Sequence, residues 1–523
     1  MRAALRSGRP FIALSAVALA IILLLALGLL GVVVAGGIGT FWPEPLEIFV
    51  LKDGTRVLGE IQKRESVAAG ERFLLKVANR DLYGQDFRWL PASAISRREP
   101  ADQALVLERR EYGAFFGFLA STPEAAEETW RNFSAAVARS AHERAQLERR
   151  QNVLNRLNNG MAVLNRRLQR LSYQNLGASD EAAALRVEHG RLEQQHQAAS
   201  REFEAALARE RAHATLLRDG GGREKTLAHL DILRAYRPGR MSFLEKVTLY
   251  ASRVRELLLD DPRESNTEGG LFPSICGTVL LVFLMSILSF PLGVMTGIYL
   301  REYARDGWLV RVVRIAVNNL AGIPSIVYGI FGLGFFIYGV GGALDRAFYP
   351  ERMPEPTFGT GGLLWASLTL GLLTVPVVIV ATEEALGVIP GGIRQASLAL
   401  GATPFQTLCR VLLPMAAPGM LTGFILAMSR AAGEVAPLMV TGVVKLAPAL
   451  PVDGEFPFLH AERKFMHLGF HIYDVGFQSP NVEAARPMVY ITTLLLLMIV
   501  VLMTGGAIWL RARLRRAFSI SAL

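Results

Sequence analysis

Residues 383–414 read EEALGVIPGGIRQASLALGATPFQTLCRVLLP, and this stretch decides how the rest of the chain is read. Glu383 and Glu384 close an apolar run. After Pro390-Gly391-Gly392 comes a short helix over Ile393–Leu400. Gly401 stops it, as glycine does where the residue past a helix must turn left-handed. Thr403 then offers its hydroxyl as an N-cap, and Pro404 takes the first helical position, where a missing N–H costs nothing. A second short helix starts there with Phe405, Leu408 and Leu412 on one face, and Leu413-Pro414 leads into the next apolar run. Two short helices at a fixed bend between apolar runs form a shape suited to insertion in a partner's groove. The plainer alternative is an ordinary helical loop.

The runs on either side belong to a set of six, at about 11–36, 273–299, 315–341, 361–381, 415–442 and 488–510. Each supplies the roughly 20 apolar residues that a helix needs to cross a bilayer. The first is longer than the roughly 7–15 residues of a signal-peptide core, so it reads as an uncleaved anchor. Arginines set the orientation, because cytoplasmic flanks carry the positive excess. Arg2, Arg6 and Arg9 precede the first span; Arg301, Arg305, Arg311 and Arg314 follow the second; Arg394 and Arg410 follow the fourth; Arg511, Arg513, Arg515 and Arg516 close the chain. Both termini are therefore expected in the cytoplasm, with Arg346 and Arg352 on the far side as a minor exception.

That orientation places 42–270 outside the cytoplasm. Its first part carries short β-branched and aromatic runs bounded by turns, such as Ile48-Phe49-Val50-Leu51 before Asp53-Gly54, and predicts a small β unit. Leu154, Leu157, Met161, Leu164, Leu168 and Leu171 repeat at steps of three and four, which is a heptad seam. A break at 175–180, with Ser179 or Asp180 as N-cap, precedes a weaker seam of Leu185, Leu192, Ala199, Phe203 and Ala206. An antiparallel coiled-coil hairpin follows, either a docking arm for another protein or a spacer packed on itself. Gly220-Gly221-Gly222 reads as a flexible joint. Phe243, Val247, Tyr250, Val254, Leu257 and Leu258 make 241–259 amphipathic, to lie on the membrane surface or to pack on the helices. The expected organisation is an anchor (1–41), a β-rich unit (42–123), a helical hairpin (124–222), an amphipathic helix and linker (223–270), five further membrane helices (271–510) and a basic cytoplasmic tail (511–523).

The chain has 523 residues, is 51% hydrophobic and carries a net charge of +10. Much of the basic excess flanks apolar spans instead of clustering on one exposed face, which argues against nucleic acid as a partner and for the lipid bilayer. Cys276 and Cys409 are far apart in sequence and no metal cluster is expected. His467 and His471 lack the glutamate of a zinc-protease motif and read as surface-loop residues. No Gly-Lys dipeptide occurs, so no phosphate-cradling Walker loop exists and no catalytic residue is expected. Arg430 and Glu434 lie inside the fifth apolar run, where ionisable groups are costly and mark a pathway or a structural ion pair. Gly322-Ile323-Pro324-Ser325 interrupts the third run, and Asn318, Asn319 and Ser325 could line a polar path or bridge helices.

The 383–414 stretch resembles the EAA loop of ABC importer permeases, which runs E-A-A, three residues, G, nine residues, I-x-L-P. Here Gln395-Ala396-Ser397 is followed at the same spacings by Gly401 and Val411-Leu412-Leu413-Pro414. Gln395, Ser397 and Val411 stand where the pattern has Glu, Ala and Ile. Across 262–510 the chain is similar to the phosphate permease family PstA. The stretches are Asn266-Thr267-Glu268-Gly269-Gly270, Gly297-Ile298-Tyr299-Leu300-Arg301-Glu302-Tyr303, Gly322-Ile323-Pro324-Ser325-Ile326-Val327-Tyr328-Gly329 and Ser429-Arg430-Ala431-Ala432-Gly433-Glu434-Val435-Ala436-Pro437-Leu438. The family often has Thr at the place of Val435. Some PstA-like proteins carry an insertion similar to 42–270.

The resemblance implies an α-helical membrane protein of importer-permease type in a bacterial inner membrane. It implies a second homologous permease, separate subunits that bind ATP, and a periplasmic phosphate-binding protein. The chain itself would hold no cofactor and do no covalent chemistry. Coupling to the ATPase would fall to Gln395, Ala396, Gly401, Ala402, Thr403, Pro404, Phe405, Leu413 and Pro414. Another oxyanion importer, for sulfate or molybdate, and a membrane signalling or scaffold protein are the rival readings.

Overall fold

The computed structural model describes residues 9–68, 70–120, 126–305, 307–353, 356–454, 456–479 and 482–518. Arg2 and Arg6 lie outside them, as does the chain beyond Phe518. Two compact units result, Met1–Thr40 with Leu271–Leu523, and Phe41–Gly270. Helix α1 (Arg9–Gly39) contributes the first apolar span, Phe11–Gly39.

The inserted unit is built on two five-stranded antiparallel sheets. Strands β1 (Glu47–Leu51), β2 (Arg56–Val67), β3 (Gly70–Lys76), β4 (Phe87–Pro91) and β5 (Ile95–Pro100) pair in the order β4-β3-β2-β1-β5. Strands β6 (Leu105–Arg109) and β7 (Ala114–Leu119) precede helices α2 (Ala126–Tyr173) and α3 (Asp180–Arg211); β8 (Ala214–Arg218), β9 (Glu224–Ala228) and β10 (Ile232–Tyr236) follow them. The second sheet runs β10-β6-β7-β8-β9. Phe49, Leu75 and Leu90 form one core, and Leu107, Phe115, Leu217 and Ile232 another.

This corrects the expected boundaries. The β-rich unit does not end at 123, because β8–β10 complete its second sheet after the hairpin. The hairpin is an insertion between β7 and β8. Gly220-Gly221-Gly222 is the tight turn from β8 to β9, not a joint, and Gly222 N–H donates to Asp219 O at 3.2 Å. The short length of β8–β10 and their weak alternation hid them from periodicity. The helical break falls where expected, and Ser179 caps α3 by accepting from Ala182 N–H at 3.2 Å. Leu154 and Leu171 are buried in the seam, and a Cβ on Gly160 would stand 3.2 Å from Leu192 of the opposite helix. Helix α4 (Phe243–Leu259) closes the unit, with a Ser242–Glu245 capping box at its start.

The membrane unit continues with α5 (Phe272–Ile298), α6 (Trp308–Leu320), α7 (Ser325–Phe331), α8 (Leu363–Gly387), α9 (Gly391–Ala399), α10 (Pro404–Thr407), α11 (Leu413–Gly433), α12 (Leu438–Thr441), α13 (Leu468–Tyr473) and α14 (Val482–Phe518). Besides α1, five stretches are long and apolar enough to cross a membrane: Phe272–Tyr303, Ser325–Phe348, Leu363–Gly387, Pro404–Gly433 and Ala485–Arg513. Helix α8 is the central post. Gly293 and Gly297 of α5 pack on its Val378 and Thr382, and Gly419 and Gly423 of α11 on its Ala385 and Ala381. Small residues at such crossings let backbones approach closely, which is how helices gain packing energy in lipid.

Three expectations change here. The third span begins at Ser325, not near 315, because Pro324 ends the preceding helix and α6 stands apart. The fifth ends at Gly433, not at 442. The tail is no separate element up to Phe518, since α14 runs through it.

Candidate functional site

Two turns break the helices of the membrane unit, one between α6 and α7 and one between α11 and α12. Helix α8 serves as a ruler with a rise of about 1.5 Å per residue. Gly332, just past α7, faces Thr369, six residues or about 9 Å along α8 from Leu363. Ser325, seven residues earlier, therefore lies about 20 Å from the Leu363 end. Gly423 faces Ala381, eighteen residues or about 27 Å along α8. Helix α11 runs antiparallel to α8, so Arg430 lies about 10 Å back from Gly423, roughly 16 Å from the Leu363 end. Ser325 and Arg430 thus both stand alongside the middle of the 25-residue α8.

The two interrupted segments touch. A Cβ on Gly329 would stand 2.7 Å from Pro437 Cα and 2.8 Å from Val440 Cγ2. Backbone freed at a break inside a membrane must find partners in protein or in water. Tyr328 Oη donates to Leu320 O at 2.7 Å and so closes the last turn of α6 across the first break. At the second break Glu434 N–H donates to Ala431 O at 3.2 Å and Leu438 N–H to Val435 O at 3.0 Å.

Arg430 and Glu434 differ from expectation in one respect: they do not share a continuous helix. Arg430 sits in the last turn of α11, and Glu434 follows it with extended backbone, φ −76 and ψ 129. Gly433 disfavours helix, and Pro437 pushes Ala436 toward extended geometry, so the helix stops between them. The side chains still pair, Nε to Oε1 at 3.4 Å, with Arg430 41% exposed. A contact that long leaves the guanidinium weakly committed to its partner. Ser429 Oγ lies 2.8 Å from Thr504 Oγ1, which ties this turn to α14. Ser325 opens α7 and is half-buried, while Asn318 and Asn319 are exposed in the last turn of α6. The helix after the first break and the segment after the Arg430–Glu434 turn therefore meet at the Gly329–Pro437 contact.

The 383–414 elbow forms as its residues dictate. Gly401 is left-handed with φ +86, and its N–H donates to Leu398 O at 3.0 Å while Ala402 N–H reaches Ser397 O at 3.3 Å. Thr403 Oγ1 accepts from Gln406 N–H at 3.2 Å, and Gln406 Oε1 accepts from Thr403 N–H at 3.0 Å. Ser397 Oγ and Thr407 Oγ1, 2.9 Å apart, brace α9 against α10. Gln395, Ala396, Thr403, Pro404 and Phe405 are exposed; Ala402, Leu413 and Pro414 are half-buried. Phe405 does not join Leu408 and Leu412 as expected. The backbone widens into π-type turns at Leu408–Leu412, which shifts the phase of the face. Leu408 and Leu412 pack with Leu386 and Met420, whereas Phe405 is 67% exposed and Leu400 90% exposed. The elbow thus presents apolar side chains outward.

Two ion pairs anchor this region and were not legible in sequence. Arg394 holds Glu302 at 2.6 Å and donates to Leu386 O and Ile389 O at 3.0 Å each. Arg314 holds Glu383 at 3.1 Å and donates to Leu300 O at 2.8 Å. Glu302 and Arg394 stand 92 residues apart, beyond the reach of any periodicity. Glu383 accordingly braces the loop.

His467 and His471 are not surface-loop residues. Both are buried, because the segment after α12 folds back into the helices: a Cβ on Gly277 would stand 2.0 Å from Met466 O, and Leu468 N–H donates to Thr278 Oγ1 at 2.9 Å. His467 caps α13, its Nδ1 accepting from Gly469 N–H at 3.1 Å. Burial pushes its pKa down to about 4 from the ordinary 6.5. The folded pKa lies below the unfolded one, so the unfolded chain binds the extra proton between these values and stability falls as pH falls through that window. The expected loss is about 3 kcal/mol by pH 4. His467→Asn keeps an N-cap acceptor without the titration. The gap between the melting temperatures of wild type and this variant should therefore change with pH from 6.5 to 4; a constant gap would contradict the assignment.

Among the described residues no cluster of three or more His, Cys, Asp or Glu could hold a metal. Residues 289–516 match the family described as "Binding-protein-dependent transport system inner membrane component". The chain is 36% identical over 182 residues to the phosphate transport system permease protein PstA of Yersinia pestis, covering 35% of this chain and 56% of that one. It is 31% identical over 221 residues to the probable phosphate transport system permease protein PstA of Methanocaldococcus jannaschii, covering 42% of this chain and 67% of that one. The matched region spans about half the length of the first curated relatives. Among solved structures, the MetNI methionine ABC transporter in an inward-facing form is 22% identical, with a TM-score of 0.34, covering 48% of this chain and 96% of that one.

Proposed function

This chain belongs to the PstA family of binding-protein-dependent transport permeases, a multi-pass inner-membrane component, and from that premise we propose that it is the permease subunit of an ATP-driven importer of inorganic phosphate. It forms the translocation path with a second homologous permease. A periplasmic binding protein delivers phosphate, and separate ATP-binding subunits dock on the 383–414 elbow. Both termini face the cytoplasm, which keeps Arg301, Arg311, Arg394, Arg410 and Arg511 on one side of the bilayer.

The observation that supports this reading most is Arg430 alongside the middle of α8, close to the contact between the segments that follow the two turns. Discontinuous helices near the midplane are where transporters build substrate sites. A guanidinium remains charged at any working pH and matches a phosphate's oxygens with a planar fork. Arg430 contacts the oxyanion during passage, and Glu434 takes the arginine back when the anion leaves. Ser325, Asn318 and Asn319 border the path on the other interrupted segment. Gln395, Ala396, Gly401, Ala402, Thr403, Pro404 and Phe405 form the docking face, and Leu413-Pro414 passes its movement into α11, whose last turn carries Arg430. The chain performs no covalent step.

Radiolabelled phosphate uptake in cells lacking this chain, with and without its re-expression, tests the reading. Uptake should return on re-expression, compete with unlabelled phosphate, and resist excess sulfate and molybdate. Competition by sulfate or molybdate would reassign the substrate. No restoration despite normal membrane insertion would move the function to signalling.

A further inference from the structure

Helix α4 is fastened to its own unit by its polar side chains and turns apolar ones outward. Arg253 donates to Glu108 Oε1 at 2.8 Å and to Phe41 O at 2.7 Å, and also meets Tyr236 Oη. Glu256, buried, pairs with Arg263 at 2.5 Å and with Arg234, which holds the other oxygen of Glu108 at 2.5 Å. Burial raises the Glu108 pKa, but Arg253 and Arg234 outweigh it, so the carboxylate stays ionised and the network stays charged. On the opposite side Phe243, Leu244, Val247 and Leu259 are 69%, 75%, 41% and 59% exposed. The expected amphipathic face is thereby redrawn: Leu257 turns inward and Leu244 outward. A helix in water buries its apolar stripe and exposes its charges. This one turns Arg253 and Glu256 inward and exposes Phe243, Leu244, Val247 and Leu259, with Thr248, Ala251 and Arg255 exposed beside them.

The covalent chain says what covers the outward face. Trp42 stands three residues beyond Gly39, the last residue of the first apolar span. Its ring lies 5.9 Å from Phe243 and 6.5 Å from Tyr250, in the first half of α4. At the other end Gly270 packs on the C-terminus of α4, its N–H donating to Asp261 O at 3.0 Å and a Cβ there meeting Glu256 O at 2.7 Å. Two residues further on, Phe272 begins the second apolar span. Both ends of this 17-residue helix, about 25 Å long, thus contact residues two or three positions along the chain from a span terminus, and both termini lie on the same side of the bilayer by alternation of the spans. Aromatic rings such as those of Trp42 and Tyr250 are the ones that settle at a membrane–water boundary.

We propose that α4 lies in the headgroup–acyl boundary of the bilayer, with Phe243, Leu244, Val247 and Leu259 inserted among the lipids and its charged face carrying the two-sheet unit above them. The inference depends only on the two flanking spans, so it stands whether or not the chain moves phosphate.

Spin labels at Leu244→Cys, Val247→Cys and Leu259→Cys, one at a time, test it in the full chain with Cys276 and Cys409 replaced by serine. The chain is reconstituted in phosphatidylethanolamine–phosphatidylglycerol vesicles, and collision with lipid-soluble oxygen is compared with that of a water-soluble nickel chelate. All three sites are expected to favour oxygen several-fold, and a label at the exposed Glu245→Cys to favour nickel. Nickel preference at the three sites would show a solvated face and overturn the proposal. Low access to both reagents would show a protein covering it, which overturns the proposal equally. Because these side chains project away from their unit's core, the substitutions leave its packing intact, and three independent sites guard against one that misfolds.

Discussion

Replacing Arg430 with alanine is expected to reduce phosphate uptake by about 10–100-fold with unchanged amounts of the chain in the membrane. Hydrogen bonds to a charged group contribute about 1.5–3 kcal/mol, and each 1.4 kcal/mol is tenfold. Arg430 pairs with Glu434 at 3.4 Å and is 41% exposed, so its loss removes little from the packed interior. Ala431 and Ala432, the buried neighbours, keep α11 in place. Arg430→Lys keeps the charge but loses the planar fork, and should retain an intermediate rate. Uptake kinetics distinguish a pathway role from a structural pair. A pathway arginine changes uptake while the melting temperature holds; a structural pair lowers the melting temperature, and Glu434→Gln lowers it alike. Wild-type uptake by a normally inserted Arg430→Ala protein would end the assignment.

Phe405→Asp is expected to bring uptake to background by releasing the ATP-binding subunit. Phe405 and Leu400 project from the elbow, and a cluster of apolar anchors at the centre of an interface carries most of its binding energy. Placing a carboxylate there leaves it desolvated and unpaired, a cost of several kcal/mol and hence more than about 100-fold in affinity. Co-purification of the ATPase with the tagged chain measures it directly. The exposed position spares the fold, so the variant should reach the membrane in normal amounts. Leu408→Asp provides the contrast: Leu408 is buried with Leu386 and Met420, and its replacement should deplete the protein itself. Retained ATPase and retained uptake in Phe405→Asp would move the docking face elsewhere.

The spans and the elbow were legible because their causes are local. A run of apolar residues long enough to cross lipid reports itself, and the caps at Gly401 and Thr403 act within one turn of chain. The His467 pair was misread for the opposite reason. Its apolar neighbours Phe465, Met466, Leu468 and Phe470 form a run too short to read as a span, and its burial comes from Gly277 and Thr278, about 190 residues away. The last three strands of the insertion were missed because a strand of five residues is defined by its neighbours in the sheet more than by its own pattern.

Sequence alone determined that this chain crosses a membrane, roughly which stretches do so, that a bent pair of helices sits between two spans, and that Arg430 is an ionisable group among apolar residues. Only the tertiary structure decided that α11 stops between Arg430 and Glu434, that the segment after this stop packs on α7 at Gly329, and which face of α4 turns outward. The division follows from range. Hydrophobicity, capping and helix breaking act within a few residues, whereas depth, contact and facing depend on glycine-permitted approaches and ion pairs between segments far apart in the chain.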